Sequence, residues 1–397
     1  MSGDPALTAA AEAAEASEHT SDTEERVGPL ELFFDLVFVF AITQVTQFIA
    51  NDPSWEGLAR ALLILTVVWW AWAAYAWLTN TLDTEQDRVR LVMFIAMGAM
   101  FVVSLSIPQA FGDDALIFAI GYLIVRAAHI LLYGYASNDT GVQQATKRLA
   151  PSVAVAAALL VAASFLDGVP QGLLWLAAIV VDYAGPMIGG MGGWVLHPGH
   201  FAERHGLIVI IAFGESIVAT GLGAEGIGLD AQVVLAALFG IVIAAALWWL
   251  YFDVVALVAE RHLREAKGVA QVRMARDSYS YIHLLMIAGI VLMALGAKKT
   301  IAGVDEPLKT VPAVALCGGV ALYLLGHIAF RLRNLGTLNR QRLVVAAIAV
   351  ALTPVAVEVD ALITLGLLAA LSASLIAYEA IHFREARRRV RAAAHPG

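Results

Sequence analysis

Long apolar runs, separated by short polar segments, occupy almost the whole chain. A helix needs about 20 mostly apolar residues to cross the hydrocarbon core of a membrane. Runs of about that length lie at 30–50, 58–79, 91–109, 115–136, 149–166, 172–190, 205–224, 231–257, 279–297, 311–331, 343–358 and 361–382. The pattern therefore predicts an all-α fold, a polytopic transmembrane helical bundle with about twelve spans.

Composition agrees with this prediction. The 397 residues are 60% hydrophobic and only 15% charged, whereas soluble domains are nearer half apolar and about a quarter charged. The single cysteine, Cys317, cannot form a disulfide within the chain. Because the chain is so apolar, we expect a lipid bilayer as its partner. The formal net charge is −8, with acidic residues concentrated at the N-terminus, so we expect no nucleic-acid partner.

Both ends of the chain differ from the apolar middle. Residues 1–27 are rich in Ala, Glu, Ser and Thr and predict a disordered cytoplasmic tail. This segment also lacks the basic start and apolar core of a secretory signal. Residues 384–397 form a basic cytoplasmic tail, which either rests on anionic headgroups or acts as a stop-transfer anchor.

Lysine and arginine residues predict the orientation. With the N-terminus in the cytoplasm, 20 of them fall in cytoplasmic segments and 4 on the opposite side. Cytoplasmic loops of membrane proteins carry such an excess of basic residues. We therefore expect a multi-pass protein of the cytoplasmic membrane with both termini in the cytoplasm.

Short sequence matches occur in the same order in both halves of the chain. Trp69-Trp70 matches Trp248-Trp249, Ala128-His129-Ile130 matches Gly326-His327-Ile328, and Arg148-Leu149 matches Arg342-Leu343. Two six-helix units of this kind would enter the membrane from the same side, as parallel repeats. The predicted boundaries are a first repeat at 28–190, a cytoplasmic linker at 191–204 and a second repeat at 205–383.

Four charged residues lie well inside predicted spans. From the span ends, Arg126 and Glu215 are each ~15 Å deep, Asp182 ~12 Å and Asp35 ~8 Å. A charge at the bilayer centre costs about 2.5–3.5 kcal/mol even on the lenient insertion scale. We therefore expect Arg126 to pair with Asp35, Asp182 or Glu215, and the sequence leaves the choice open.

Other polar residues have two interpretations each. Glu31 and Asp35 share one helix face, and the helix dipole accounts for Glu31 better than for Asp35. His129 and His327 occupy matching places and are either proton relays or packed hydrogen-bonding residues.

The segment His197-Pro-Gly-His200-Phe-Ala-Glu203-Arg204-His205 could hold a divalent metal, although its spacing fits no standard motif and Arg204 adds a positive charge. Interfacial polarity at a helix start is the alternative. Ser216 follows Gly214-Glu215 without the glycine pattern of a hydrolase nucleophile. We therefore expect no enzymatic activity and no cofactor.

Two stretches together resemble the bacterial low temperature requirement A family. They are Arg26-Val-Gly-Pro-Leu-Glu31-Leu-Phe-Phe-Asp35 and His200-Phe-Ala-Glu203-Arg204-His205-Gly-Leu207, the latter followed by Gly214-Glu215-Ser216. The resemblance covers about residue 26 to the last span. It implies a role in growth in the cold, names no substrate, and marks as functional residues Arg26, Glu31, Phe34, Asp35, Glu203, Arg204, His205, Glu215 and Ser216.

These observations favour a transporter or channel-like permease for a small ion or solute, with a polar site between the repeats. We expect that site near Asp35, Arg126, Asp182 and Glu215. The alternative is a non-transporting membrane scaffold that acts in stress adaptation. An intramembrane enzyme acting through the His197–His205 segment is a third hypothesis.

Overall fold

The computed structural model describes residues 26–136 and 139–385, and within these ranges the chain is helical with no β-strand. The predicted N-terminal tail, apart from its last two residues, and the basic tail beyond residue 385 lie outside the described residues. The helices of the first half are α1 Pro29–Asn51, α2 Trp55–Thr79, α3 Asp87–Gln109, α4 Ala115–Ala136, α5 Thr140–Ala163 and α6 Gly168–Ile188.

The second half contains eight further helices. They are α7 Pro198–Gly223, α8 Ala231–Phe252, α9 Val255–Glu265, α10 Gly268–Ile301, α11 Thr310–Leu335, α12 Arg340–Ala351, α13 Thr353–Ala356 and α14 Ala361–His382. Residues 275–282 of α10 form a π-helical turn. Such a turn widens the helix and shifts the register of the residues that follow.

Local signals explain where the helices begin. Ser54 and Asp230 precede α2 and α8, and each side chain accepts a hydrogen bond from a backbone N–H of the first turn. This removes an otherwise unsatisfied donor at the helix start. Proline occupies the first position of both α1 and α7, where a helix needs no N–H. Gly336, in the left-handed conformation, ends α11.

Within the described residues, eleven helices are each long and apolar enough to cross a membrane, and the prediction of about twelve spans differs from the structure at one place. The predicted span 343–358 is interrupted at Leu352, which separates α12 from the four-residue α13. Pro354 has no N–H for a continuous helix. The 12 residues of α12 alone reach only ~18 Å, and α13 continues the segment. Arg342, near the start of α12, binds Glu379 near the end of α14, whereas Ala356, at the end of α13, lies beside the loop that contacts the start of α14. The segment therefore follows α14 as a broken helix.

Helix α7 begins earlier than the sequence predicts. Residues 198–204, assigned above to a cytoplasmic linker, form its first two turns. This earlier start changes the environment of Arg204, which the count of basic residues places on the cytoplasmic side. It is fully buried.

The two halves have a similar order of helix neighbours. In the first half α1 packs on α2 and α3, then α3 on α4, α4 on α5, α5 on α6, and α6 on α2. In the second half α7 packs on α8 and α10, then α10 on α11, α11 on α12, α12 on α14, and α14 on α8. The halves meet where α1 and α2 contact α7 and α10.

Glycines allow the closest helix packing in the second half. A Cβ atom at Gly289 of α10 would lie 2.7 Å from the carbonyl oxygen of Gly319 in α11. At the opposite extreme, large apolar side chains on outer faces, such as Leu91, Phe94 and Ile95 of α3, are about half exposed. Outward apolar faces on long helices are expected where the surrounding solvent is lipid.

Candidate functional site: a polar cluster between α1 and α7

The start of α1 and the start of α7 lie side by side and carry complementary side chains. Glu31 contacts His200, and Asp35 contacts Arg204. In each pair the two residues are 169 positions apart in the sequence. The two helices therefore run parallel in matched register, with acidic groups on one and basic groups on the other.

Arg204 is the centre of this cluster. Its Nη1 donates to Oε1 of Glu31 at 2.8 Å, and its Nη2 donates to Oδ1 of Asp35 at 2.9 Å. It also donates to the Thr79 hydroxyl of α2. The guanidinium lies 5.9 Å from the Phe34 ring centroid, within the range of a cation–π interaction. All of these side chains are buried, so Arg204 has exchanged its hydration for protein contacts.

The protonation of His200 follows from its neighbours. The Asn80 Oδ1 atom accepts from the His197 backbone N–H, so the Asn80 Nδ2 group is the one that faces Nδ1 of His200. Since Nδ2 can only donate, Nδ1 of His200 is an acceptor. The proton then lies on Nε2, which donates to Oε2 of Glu31 at 2.8 Å. In this arrangement His200 is neutral.

The charges of the cluster do not balance when both carboxyl groups are ionised. Glu31 and Asp35 then carry two negative charges against one positive charge on Arg204. Asp35 Oδ1 also accepts from Trp72 Nε1 at 2.9 Å, whereas Asp35 Oδ2 has no hydrogen-bond partner among the described residues. The free oxygen and the surplus charge could accept a proton or a small cation.

A second polar group lies farther along the same two helices. Glu215 of α7 is buried, and its Oε2 accepts from the Thr43 hydroxyl of α1 at 2.5 Å. One turn beyond Thr43, Gln47 accepts from Lys298 of α10. The sequence predicts that Glu215 lies deep inside a membrane span. In the structure it lies where the two halves of the protein contact each other.

Between the two polar groups, the contact between the two halves is apolar. The side chains that meet there around a narrow gap are apolar, namely Phe38, Ile42, Leu65, Val68, Trp69, Trp72, Ile208 and Ile287. These residues come from α1, α2, α7 and α10. The apolar segment therefore separates the Arg204 cluster from Glu215.

Arg126 and Asp182 form a different ion pair, within the first half. Nη2 of Arg126 on α4 donates to Oδ1 of Asp182 on α6 at 2.8 Å, and the Tyr122 hydroxyl donates to Oδ2 at 2.8 Å. Of the three partners that the sequence left open for Arg126, the structure gives Asp182. The expected single site near all four buried charges is thus divided: Asp35 and Glu215 lie between the halves, and Arg126 and Asp182 lie apart from them.

The two matched histidines have different surroundings. The ring of His129 packs against Tyr75 and Tyr133. His327 instead accepts at Nδ1 from Arg342, which binds Glu379 through two further bonds of 2.9 Å. Neither histidine belongs to the Arg204 cluster.

The possible metal ligands near the start of α7 do not converge. His200 is directed at Glu31, His205 donates from Nδ1 to the Phe201 carbonyl, and Glu203 is exposed and accepts from the Val27 backbone N–H. Successive helix positions point in different directions, which separates these side chains. Within 26–136 and 139–385, the structure contains no group of three or more His, Cys, Asp or Glu placed to hold a metal ion.

The remaining motif residues have minor contacts. Ser216 donates to the Phe213 carbonyl within its own helix. Arg26 is exposed.

Comparison with known proteins now decides the family. The family described as bacterial low temperature requirement A protein matches residues 26–377, almost all of the chain. The chain belongs to the low temperature requirement A family. An uncharacterized protein of Rhizobium meliloti (strain 1021) is 30% identical over 317 residues, which cover 75% of each chain. No solved structure matches this sequence.

In this low temperature requirement A protein, the two sequence motifs are the two sides of one buried cluster. Several members of the cluster carry no signal that predicts them from the sequence, namely Trp72, Thr79 and Asn80. The same holds for Thr43 and Lys298 beside Glu215. Thr79 and Asn80 stand where an apolar span ends, which is a common place for polar residues and gave no distinct signal. Glu379, inside the last span, was a detectable signal because a carboxylate in an apolar helix needs a partner.

Proposed function

We propose that this protein is a transporter or channel-like permease of the cytoplasmic membrane, with its polar site between two six-helix repeats. The observation that carries the proposal is the Arg204 cluster, in which ionisable groups from both family motifs meet, fully buried, at the boundary between the halves. Polar groups buried inside a membrane protein commonly mark a pathway for a substrate or ion.

Energetics favour a function for this cluster over a purely structural role. A buried ion pair stabilises a fold weakly, since desolvation of the charges offsets most of their attraction. An apolar set of side chains would hold α1 and α7 together at least as well. The surplus carboxylate and the unpaired Asp35 Oδ2 atom make the cluster more costly still.

The matched register of α1 and α7 supports the parallel repeat. Pro29 and Pro198 open the two helices, and the Glu31–His200 and Asp35–Arg204 contacts share one sequence offset. Contacts between equivalent positions are what a twofold axis generates. An axis parallel to both helices runs along the membrane normal, as in transporters built from parallel repeats. The shared order of helix neighbours supports the same arrangement.

The cytoplasmic orientation of both termini rests on the basic residues. Two of the 20 assigned to the cytoplasmic side, Arg204 and Arg342, are buried and drop out of the count. That leaves 18 against 4, which still favours the cytoplasm for both ends.

Along this axis the polar groups alternate with an apolar barrier. The Arg204 cluster lies near the helix starts, the apolar residues around Trp69 and Ile208 follow, and Glu215 with Thr43 lies beyond. A substrate moving from one polar group to the other needs the halves to separate at the barrier. We propose that the conformation described is a closed one and that the halves rock about the α1–α7 contact.

The charge of the site favours a proton or a small cation as the transported or coupled ion. Purified protein in liposomes would be tested with H⁺, Na⁺ and K⁺ gradients, with ion-sensitive dyes trapped inside. Flux should fall at least tenfold in Asp35→Asn and in Glu215→Gln. Glu265→Gln, at an exposed position, is the matched control and should retain it.

Liposomes that behave like protein-free vesicles for all three ions would contradict this proposal. That result would favour the non-transporting scaffold in stress adaptation, provided that the reconstituted protein is folded. Unchanged flux in both Asp35→Asn and Glu215→Gln would remove these residues from the pathway.

A further inference from the structure

A larger cavity lies away from the Arg204 cluster, between α2 and α4 of the first half and the start of α10 in the second. Its empty volume is about 530 Å³, including the opening. Aromatic side chains form much of the wall, among them Trp70, Trp77, Tyr133 and Trp194. Ligand sites of small molecules share this mainly apolar lining.

Two residues that line this cavity carry buried polar atoms without a hydrogen-bond partner in the described part of the chain. They are Trp70, at Nε1, and Arg126, at Nε and Nη1. The two residues are 7% and 1% exposed. Buried polar groups in native proteins almost always have partners. Several unpaired atoms around one cavity therefore indicate a ligand.

The unpaired atoms define the chemistry of that ligand. Trp70 and Arg126 can only donate, so the ligand must supply acceptor oxygens. Asp182 uses one nitrogen of Arg126 and leaves the other two with free N–H groups. A carboxylate has two oxygens in one plane, which suits a guanidinium and a neighbouring N–H donor.

The charge near the opening also favours an anion. Arg276, a lining residue, and Arg333 both bind the single carboxylate of Asp277. This group carries one net positive charge. The indole and phenol rings of the wall suit an apolar, flat body.

We propose that this cavity binds a small aromatic carboxylate, whose oxygens accept from Arg126 and Trp70. The ring packs against the tryptophan side chains. The site includes neither Asp35 nor Glu215, so its occupation does not depend on the permease proposal.

Binding is tested on the full chain in detergent, by equilibrium dialysis with radiolabelled benzoate. Unlabelled benzoate should displace the label, whereas benzyl alcohol and benzylammonium, which keep the ring and lack the carboxylate, should not. Trp70→Phe keeps the ring and removes the donor, and should weaken binding about tenfold. Trp249→Phe, in the corresponding tryptophan pair of the second half, is the matched control and should bind normally.

A second variant tests the location without touching a polar group. Ala74 lines the cavity, and Ala74→Leu should abolish binding by filling it. Gel filtration and thermal melting establish that each variant is folded. Absence of saturable benzoate binding to folded wild-type protein would overturn the proposal. So would equal displacement by benzyl alcohol, or unchanged binding in Trp70→Phe.

Discussion

Replacement of Arg204 by methionine should destabilise the protein strongly. The change removes three side-chain hydrogen bonds, to Glu31, Asp35 and Thr79. It also leaves two carboxylates buried beside an apolar side chain. Removing one partner of a buried ion pair costs about 3–5 kcal/mol. We expect a loss of that size in the free energy of unfolding, measured by SDS titration in mixed micelles with far-ultraviolet circular dichroism.

Two comparisons make this prediction specific. Arg261 forms an exposed ion pair with Glu265, and Arg261→Met should cost less than about 1 kcal/mol. In an Asp35→Asn background, Arg204→Met leaves one buried carboxylate without its partner, not two. The loss in the free energy of unfolding caused by Arg204→Met should therefore be smaller by about 1–3 kcal/mol. If Arg204→Met costs no more than Arg261→Met, or if the Asp35 and Arg204 substitutions are additive, the cluster is not the coupled unit described above.

Three further predictions concern packing and orientation. Gly319→Ala should destabilise by about 1–3 kcal/mol in thermal melts, because its Cβ would lie 2.5 Å from a backbone nitrogen of α10. Gly318→Ala should be neutral in the same melts, because its Cβ would meet only the Val314 side chain, at 3.9 Å. Cys317 is fully buried and should resist maleimide labelling in detergent until SDS is added; rapid labelling would contradict the packing of α11. In a Cys317→Ala background, a cysteine at Asp305 should react with an impermeant maleimide on intact cells and one at Arg261 only after permeabilisation, and the reverse pattern would invert the orientation.

The sequence predicts some features of the Arg204 cluster and not others. The two motifs were identified, and Asp35 was expected to need a partner because an isolated charge in an apolar span is costly. Its actual partner, Arg204, falls in the segment 191–204, which the sequence predicts to be a cytoplasmic linker. The reason is that α7 starts at Pro198, which carries Arg204 ~9 Å into the helix. Hydropathy alone does not detect these first two turns, because they are polar on average.

Span 343–358 illustrates a second limit, because the single helix predicted there is broken in two. Its composition fits a membrane span, and the residues are apolar enough. The break at Leu352 depends on Pro354 and on pairing with a loop, since Leu308 donates to the Ala356 carbonyl and Ala361 to that of Glu306. The loop 303–308 comes from a distant part of the sequence, so local pattern could not reveal it.

The sequence by itself determined the class of this protein, its multiple apolar helices and the short list of charged residues that cannot face lipid. These follow from composition and from the length that a helix needs to cross the apolar core, both local properties. Only the tertiary structure decided the partners: Asp182 for Arg126, and Arg204 for Glu31 and Asp35. Pairing depends on the rotation of each helix and on which helices are neighbours, and residues 169 positions apart carry no mutual signal in a single sequence.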